Sequence, residues 1–445
     1  MVGIGINIAE KINQIQRVRL LARKPISATS MTISAAMPRL NLPGHKSVKV
    51  GILAPLTGSL TAWGQPGRDG CLIWADWVNA RGGLDLGDER YRVDIISFDD
   101  AYDSAKAMEG AKKLIQDDKI SILLMLGGDD WLAVRDYVNS QKMLTTTLLP
   151  SDLSPDSPYL IAPCEVHPLY NLAGVEWLSI NRPELRTAAI CTQDDALGLP
   201  ALAAFRAAFE AAGIEIVKEI IYPADTPDVP NMASALIGSD PDILCWGTAA
   251  EPVLHALTEE AYRLGYKGQM IASTADNYIR MMERTSREFM EGFLFHFPDF
   301  DDPALNDSAI NFSNPADFFT EYNHRYPGTW SAVSWEYYAI LEQWKAAVER
   351  ARTFDPVSVM AAMKTGGVGK HVFGDARWWG RELFGIDQAL IGNWPVVQIQ
   401  QGKARILEFR SLTDWYEKHG DILIKHMKAY DQMWYQRVEF LNEAG

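Results

Sequence analysis

The sequence predicts an α/β protein whose parallel sheets carry helices on both faces. Short runs rich in Val, Ile and Leu alternate with longer segments whose apolar residues recur at helical spacing, and this alternation is typical of repeated βα units. The run "ISILLMLGG" is apolar throughout, as expected of a strand that is covered on both faces. The alternation extends from Val48 to Thr274, which gives too many units for one small sheet and therefore indicates more than one lobe.

In the first part of the chain, turn and cap residues mark the ends of the elements. Thr57–Gly58 closes the first strand, and Gly82–Gly83 ends the helix that follows it. Acidic residues begin the helix at Asp129, where they favour the helix dipole. The predicted strands are "VKVGILAPLTG", "YRVDIISFDDAYD", "ISILLMLGG" and "MLTTTLLPSD". The predicted helices are "GQPGRDGCLIWADWVNARGG", "SAKAMEGAKKLIQDD" and "DDWLAVRDYVNSQ".

The second part repeats this pattern. Its predicted strands are "RTAAICTQDD", "IEIVKEIIY", "GQMIAST" and the end of "MASALIGSDPDILCWGT", which begins as a helix. Its other predicted helices are "GLPALAAFRAAFEAAG", "EPVLHALTEEAYRLGY" and the long amphipathic "DILIKHMKAYDQMWYQRVEFL" near the C-terminus. The irregular stretch Pro150–Pro168 and the stretch at Phe297–Pro298 predict crossings of the chain between lobes.

Composition and charge exclude several classes of protein. The chain is 47% hydrophobic and 22% charged, which is ordinary for a globular protein. A net charge of −15 argues against binding to nucleic acid or to an anionic membrane surface. No apolar run approaches the roughly 18 residues that a membrane-spanning helix needs, so no membrane insertion is predicted. The four cysteines are widely spaced and form no ligand cluster with histidine, so no metal site is predicted. Whether Cys164 and Cys191 form a disulfide stays an open question at this point.

The first 46 residues differ from the rest in charge. A basic, acid-poor start is typical of targeting segments, but the apolar core of a secretory signal is missing here. We therefore expect residues 1–46 to be a targeting or disordered segment. Its only acid is Glu10, and its basic residues are Lys11, Arg17, Arg19, Arg23, Lys24, Arg39 and Lys46.

The motifs of common α/β enzymes are missing. The first strand is followed by "LTGSLTAWGQPG", which lacks the glycine spacing of a dinucleotide site, and "TGGVGKH" lacks the spacing and the Ser or Thr of a P-loop. The sequence has neither a GxSxG nor an HExxH motif. Acids and tryptophans at strand ends, without a paired nucleophile and base, favour binding over turnover. We predict a protein that is not an enzyme and that needs no cofactor.

Several segments together resemble the branched-chain amino acid (Leu/Ile/Val) binding proteins, which are type I periplasmic solute-binding proteins of ATP-driven importers. The resemblance covers roughly Ser47 to Asp375. It is carried by "VKVGILAPLTG", "AWGQPGRDGCLIWADWVNARGG", "YRVDIISFDDAYDSAKAMEGAKKLI", "TTTLLPSDLSPDSPYL" and "TWSAVSWEYYAILEQW".

The resemblance implies two doubly wound parallel-sheet lobes that are joined by a three-strand hinge and hold a ligand between them. We place lobe 1 at residues 47–165 and 298–375, and lobe 2 at residues 166–297 and 376–445, which includes a C-terminal extension. It further implies a periplasmic component of an ABC importer that captures a small polar organic solute and delivers it to a permease in the inner membrane. Two alternatives stay open, namely a cytoplasmic ligand sensor of the same fold and an α/β enzyme with an unrecognised site.

The resemblance also assigns residues to the ligand cleft. From the first lobe these are Trp63, Gly128, Asp129, Ser151 and Asp152. From the second lobe they are Asp195, Thr248, Ala249 and Asp276, and Trp335 would close one side.

The sequence departs from the family pattern in charge. Asp129 and Asp130 stand where the family presents neutral hydroxyl groups to a carboxylate, and they would repel one. We therefore hypothesise that the cleft is an acidic pocket with aromatic walls, which favours a cationic or amide-bearing ligand. Its members would be Asp129, Asp152, Asp276, Trp63, Trp131 and Trp335. The alternative is that Asp129 and Asp130 only cap their helix.

Overall fold

The first lobe is built on a six-stranded sheet. Its strands are β1 (Lys46–Ala54), β2 (Leu84–Asp85), β3 (Arg90–Asp99), β4 (Ile122–Met125), β5 (Thr145–Thr146) and β6 (Leu160–Ile161). They lie in the order β2-β3-β1-β4-β5-β6, and every pairing is parallel except that of β2 with β3. The apolar run of β4 is buried along its whole length, as expected of a strand near the centre of a covered sheet.

This computed structural model describes residues 46–223, 228–307, 309–365 and 368–437. The described residues belong to one compact unit, so the lobes are parts of a single body. The predicted targeting or disordered segment lies outside the described residues, apart from Lys46.

Three helices connect the strands of the first sheet. They are α1 (Thr61–Ala80), α2 (Ser104–Lys112) and α3 (Asp129–Ser140). The α2 helix continues into one π-helical turn, Lys113–Asp117. The predicted fourth strand is shorter than expected, because only Thr145–Thr146 pairs and the following Pro150–Asp152 forms a 3₁₀ turn.

The second lobe has a nine-stranded sheet, which is mixed rather than all parallel. Its strands are β7 (Thr187–Gln193), β8 (Glu215–Tyr222), β9 (Ile243–Trp246), β10 (Gln269–Ala272), β11 (Leu294–Phe295), β12 (Val368–His371), β13 (Gly374–Trp379), β14 (Ala389–Gln400) and β15 (Lys403–Ser411). The order is β12-β13-β14-β11-β10-β9-β7-β8, and β15 pairs with β14. The strands β7 to β11 form the parallel part, whereas β12 to β15 add an antiparallel edge that the sequence did not indicate.

Helices α4 to α9 belong to this second lobe. They are α4 (Tyr170–Asn181), α5 (Gly198–Ala212), α6 (Val229–Ile237), α7 (Glu251–Arg263), α8 (Tyr278–Arg284) and α9 (Arg287–Met290). The chain then returns to the first lobe through α10 (Pro315–Arg325), α11 (Ala332–Ala351) and α12 (Pro356–Lys364). Near the C-terminus, α13 (Arg381–Phe384) and α14 (Leu412–Ala429) follow. The predicted class of two α/β lobes with parallel-dominated sheets is confirmed.

The predicted extent of the long C-terminal helix, residues 421–441, is wrong within the described residues, and 438–441 lie outside them. The α14 helix begins earlier, at Leu412, and ends at Ala429. Asp431 adopts φ +58°, a left-handed conformation that an L-residue does not hold within a helix, and a separate helical turn at 434–437 follows. The four cysteines are buried free thiols, so Cys164 and Cys191 form no disulfide.

The chain passes between the lobes three times, after β6, after β11 and after α12. At the first crossing, Ala162 follows the last strand of the first sheet and forms a parallel bridge with Ala389 of β14 in the second sheet. The N–H of Ala162 donates to Gln388 O at 2.9 Å, and the N–H of Leu390 donates back to Ala162 O at 2.9 Å. The two sheets are therefore joined directly at this point. The predicted residue boundaries of the lobes stay a prediction.

Glycines on one face of α1 allow α11 to approach closely. A Cβ added at Gly67 would lie 2.8 Å from the Tyr337 ring, and one at Gly70 would lie 2.0 Å from the carbonyl oxygen of Ser334. Such distances are too short for any side chain, so this approach of the two backbones requires glycine at both positions. The contact sets the position of α11 beside the start of α1.

We predict that Gly70→Ala destabilises the protein by about 1–3 kcal/mol, because the new methyl group pushes α1 away from α11. Urea unfolding followed by circular dichroism measures the change. The control is Gly420→Ala within α14, where the three atoms nearest to the added Cβ belong to the Tyr416 ring and lie 3.1–3.2 Å away. That variant should match or exceed wild-type stability by up to about 1 kcal/mol through its better helix propensity. Equal stability of Gly70→Ala and the wild type would contradict the close packing of the helices.

Candidate functional site

A cavity lies between the two lobes and is lined by both. The space between its atoms measures about 390 Å³ in all, part of which is open to solvent. The first lobe contributes Trp63, Leu126, Leu149, Ala332, Val333 and Glu336. The second lobe contributes Tyr170, Leu197, Thr248, Thr274, Asp276 and Phe297, and the first crossing adds Glu165 and His167. Several of these residues follow the carboxyl ends of parallel strands, where open α/β sheets bind their ligands.

Trp63 and Asp276 connect the lobes across this cavity. The indole Nε1–H of Trp63, at the start of α1, donates to Asp276 Oδ2 after β10 at 2.6 Å. Both side chains are buried. The backbone carbonyl of Asp276 also lies 2.9 Å from His255 Nε2 of α7, which fixes the loop that carries the carboxylate. The lobes are thus in contact, and the cleft is closed.

Three carboxyl groups share the cavity, and no Lys or Arg of the described chain lines it. Burial raises the pKa of Asp276 to about 6, and the hydrogen bond from Trp63 partly opposes that shift. Burial and then the charge of Glu336 raise the pKa of Glu165 well above its usual range. Burial and then the charge of Asp276 do the same for Glu336. The cavity is therefore acidic and lacks a compensating cation from its own walls.

Aromatic rings form one wall of the cavity. The Tyr170 ring contacts the Phe297 ring edge-to-face at a centroid distance of 5.1 Å and the His167 ring at 5.7 Å. Burial lowers the pKa of His167 to about 3, so its imidazole is neutral and offers one donor and one acceptor. Neither ring nitrogen meets a hydrogen-bond partner among the described residues. The wall can therefore supply both apolar contact and polar groups.

The residues predicted at the start of α3 are held by contacts within the protein. Asp152 Oδ2 accepts from the Gly128 N–H and from Thr147 Oγ1, both at 2.9 Å. Its Oδ1 accepts from Arg437 Nη2 at 3.3 Å, and the Asp152 side chain is fully buried in this ion pair. Burial raises the pKa of Asp152 to about 6, and the Arg437 charge opposes that shift.

The neighbouring acids are also buried. Burial raises the pKa of Asp129, and Arg437 opposes the shift. Asp130 is 2% exposed, and neither of its carboxylate oxygens meets a partner among the described residues. Burial, followed by the charge of nearby Asp100, raises the pKa of Asp130 to about 9. The structure gives no cap hydrogen bond from these side chains to the helix end.

The structure brings three of the predicted site residues together in the cavity, namely Trp63, Thr248 and Asp276. Thr248 Oγ1 is buried without a partner among the described residues. Gly128, Asp129 and Asp152 lie instead at the start of α3, and Ser151 lines a small separate cavity with Trp131 and Arg437. The remaining predicted residues are Asp195, Ala249 and Trp335.

Those three residues do not line the cavity. Asp195 accepts hydrogen bonds from the N–H groups of Leu197 and Gly198 at 3.0 and 2.7 Å and so closes its own turn. Ala249 is buried beside the cavity residue Thr248. Trp335 has no exposed surface and stacks on Phe300 at a centroid distance of 4.9 Å.

The sequence did not single out Glu165 and Glu336 as site residues. Glu336 directly follows Trp335 in the segment "TWSAVSWEYYAILEQW", and the signal that could have identified it is an acid that stands directly between aromatic residues. Within the described ranges, no three His, Cys, Asp or Glu residues are placed to hold a metal ion. Within the same ranges, no helix has the length and apolar character needed to cross a membrane.

Comparison with known protein families identifies a family whose profile matches this chain. The profile of the family described as periplasmic binding protein matches residues 47–404, which is more than half of the chain. The Leu/Ile/Val-binding protein BraC3 of Rhizobium johnstonii is 25% identical over 228 residues, which are 50% of this chain and 59% of that protein. This chain therefore matches less than two thirds of the length of that curated relative. The resemblance predicted from the sequence is confirmed.

Solved structures share the fold. The leucine-binding protein LivK from Thermotoga maritima is similar with a TM-score of 0.67 and 18% identity, over 82% of this chain and 99% of that one. A solute-binding protein of an ABC transporter from R. palustris, in complex with 4-hydroxybenzoate, has a TM-score of 0.68 and 17% identity, over 83% of this chain and 99% of that one. At these identities the similarity establishes the two-lobed fold alone.

We predict that Asp130→Asn flattens the pH dependence of stability. The folded-state pKa of about 9 lies above the ordinary value of 3.8, so the folded protein holds a proton that the unfolded chain releases. The contribution of that proton to the free energy of unfolding is complete below the pKa of Asp130 in the unfolded chain. It is lost as the pH rises towards and through the pKa in the folded protein, by up to about 1.4 kcal/mol per pH unit. Urea unfolding between about pH 6.5 and about pH 8.5 measures this slope.

The control for this experiment is Asp136→Asn on the same helix, because its side chain is 87% exposed. That variant should keep the wild-type slope. Equal slopes for Asp130→Asn and the wild type would show that Asp130 is ionised in the folded protein and would refute the prediction.

We predict that Arg437→Gln destabilises the protein by about 3 kcal/mol at about pH 8, because it leaves the buried Asp152 carboxylate without its cation. The loss should shrink towards about pH 5, where Asp152 binds a proton and no longer needs a cation. Thermal unfolding at both pH values measures the effect. The double variant Asp152→Asn with Arg437→Gln should recover most of the lost stability, and equal losses in the single and double variants would count against the ion pair.

Proposed function

Because this chain belongs to the periplasmic binding protein family, we propose that it is the solute-binding component of an ABC importer. The solute is a small polar organic molecule, of amino acid, amide or amine type, and it binds between the lobes. The protein resides in the periplasm and presents its closed form to a permease in the inner membrane. The family match supports the general function, and the cavity supports the place of binding.

The observation that carries this proposal is the shared lining of the cavity. A solute held there touches Trp63 and Glu336 of one lobe and Asp276 and Thr248 of the other at the same time. A ligand that contacts both lobes binds the closed form more tightly than the open form, and this difference in affinity drives closure. The direct bond between Trp63 and Asp276 adds to the same closed state.

The chemistry of the lining supports binding. Its polar groups are carboxyl groups, hydroxyl groups and one neutral imidazole, and the rest of the surface is apolar or aromatic. Few polar groups in a mostly apolar cleft are typical of sites that orient a small ligand. The crossings at the edge of the cavity supply the hinge about which the lobes open and close.

We predict that solute binding compacts the protein and that Trp63→Phe weakens binding by about tenfold, since the phenyl ring cannot donate to Asp276. Thermal shift with amino acids, amides and amines identifies solutes. Calorimetry then measures affinity, and small-angle X-ray scattering measures the decrease in radius of gyration.

The control is Trp77→Phe on the same helix, because Trp77 packs on Phe318 and Tyr338 away from the cavity. It should bind solute as the wild type does. Chemical conversion of the solute, or binding without compaction, would contradict the proposal. Recovery of the native protein in the cytoplasmic fraction would favour a ligand sensor instead.

A further inference from the structure

We propose that the solute carries a cationic group and that Glu336 and Glu165 bind it together. This inference rests on the proposed function and specifies the chemistry of the same site. The cation would be an ammonium, guanidinium or quaternary ammonium group. The observations that carry it are the burial of both carboxyl groups and, among the described residues, the lack of donors around Glu336 and of Lys or Arg in the lining.

The carboxyl group of Glu336 is buried without a hydrogen-bond donor among the described residues. Its side chain has no exposed surface, and neither carboxylate oxygen meets a hydrogen-bond donor among the described residues. It lies on α11, between the aromatic residues Trp335 and Tyr337, and it faces the cavity. A buried carboxyl group with unmet oxygens destabilises a protein unless a ligand or a proton satisfies it. Its position in the wall therefore points to a role in binding.

Two further acids face the same space. Glu165 is 6% exposed and Asp276 is 5% exposed, and both line the cavity with Glu336. The Trp63 indole satisfies one oxygen of Asp276, whereas the Glu165–Glu336 pair faces no Lys or Arg in the described lining. An anionic solute would meet three carboxyl groups here and, among the described residues, no Lys or Arg. A cation would meet complementary charge among buried carboxyl groups, where such attraction is stronger than in water.

The aromatic walls suit the same class of solute. Trp63, Tyr170 and Phe297 line the cavity with the acids. The faces of aromatic rings attract cations, and the attraction grows when the cation is desolvated. Carboxylates and ring faces around one enclosed space together recognise a cation with an apolar body.

Proton exchange should accompany binding. Burial raises the pKa of Glu165 and of Glu336, the charge of Glu336 adds to the shift of Glu165, and the charge of Asp276 adds to both. The other titratable groups beside them are the phenols of Tyr170 and Tyr337, the thiol of Cys164 and the imidazole of His167. A bound cation lowers both carboxyl pKa values, so it releases protons to the buffer. Affinity for the cation should therefore rise with pH and weaken as the solution is acidified.

The test is calorimetry of the full chain with putrescine, agmatine and choline, and with butyramide, leucine and 4-hydroxybenzoate as neutral, zwitterionic and anionic probes. We expect at least one cation to bind, and Glu336→Gln to weaken its binding by at least about 30-fold. Titrations in buffers of different ionisation enthalpy should reveal proton release. The matched control is Glu342→Gln on the same helix, because Glu342 accepts from Trp74 Nε1 at 2.6 Å outside the cavity. It should bind as the wild type does.

A thermal-unfolding measurement separates this role from a structural one. Without solute, Glu336→Gln should be as stable as the wild type or more stable, because the folded wild type must hold on Glu336 a proton that the unfolded chain releases at neutral pH, whereas an amide has no such cost. The inference is overturned if none of the cations binds, if Glu336→Gln binds them unchanged, or if the variant loses stability. Compaction by butyramide without any cation would overturn it and leave the proposed function standing. Compaction by 4-hydroxybenzoate alone would overturn it together with the proposed type of solute, and a protein that no solute compacts would refute the proposed function as well.

Discussion

The hydrogen bond between Trp63 and Asp276 is the contact on which the geometry of the cavity depends. It joins a helix start in one lobe to a strand end in the other, at the edge of each sheet where parallel strands terminate. The glycines of α1 at Gly67 and Gly70 let α11 lie against that helix and so place Glu336 beside the same space. One close helix pair and one bond between the lobes therefore determine which side chains line the cavity.

The fold could be predicted from local pattern because each βα unit carries its own signal. Apolar runs such as that of β4 and helix ends such as Gly213 are defined by a few neighbouring residues. The antiparallel edge formed by β12 to β15 was missed because its strands lie in a mixed, less regular part of the sequence. The helical period of the C-terminal segment was correct up to Ala429, but the period does not reveal the left-handed Asp431.

The candidate site could be predicted only in part, because side-chain direction depends on tertiary packing. The family resemblance pointed to Trp63, Thr248 and Asp276, which line the cavity. On α11, however, most of the helix is buried, so the sequence alone does not tell whether Trp335 or Glu336 faces the ligand. The ion pair between Asp152 and Arg437 joins residues that are 285 positions apart, and no local pattern carries that information.

The two groups of buried acidic residues differ in how the negative charge of a buried carboxylate is compensated. At the start of α3 the chain supplies its own cation, since Arg437 pairs with Asp152 and reduces the cost of its burial. In the cavity the chain supplies aromatic faces and one indole N–H but no Lys or Arg among the described residues. A protein that needed only stability would gain by placing apolar residues at Glu165 and Glu336, because buried acids without a partner weaken the fold. Their presence in a space that both lobes share is explained if the missing charge arrives with the solute, so that recognition, charge balance and closure are one event.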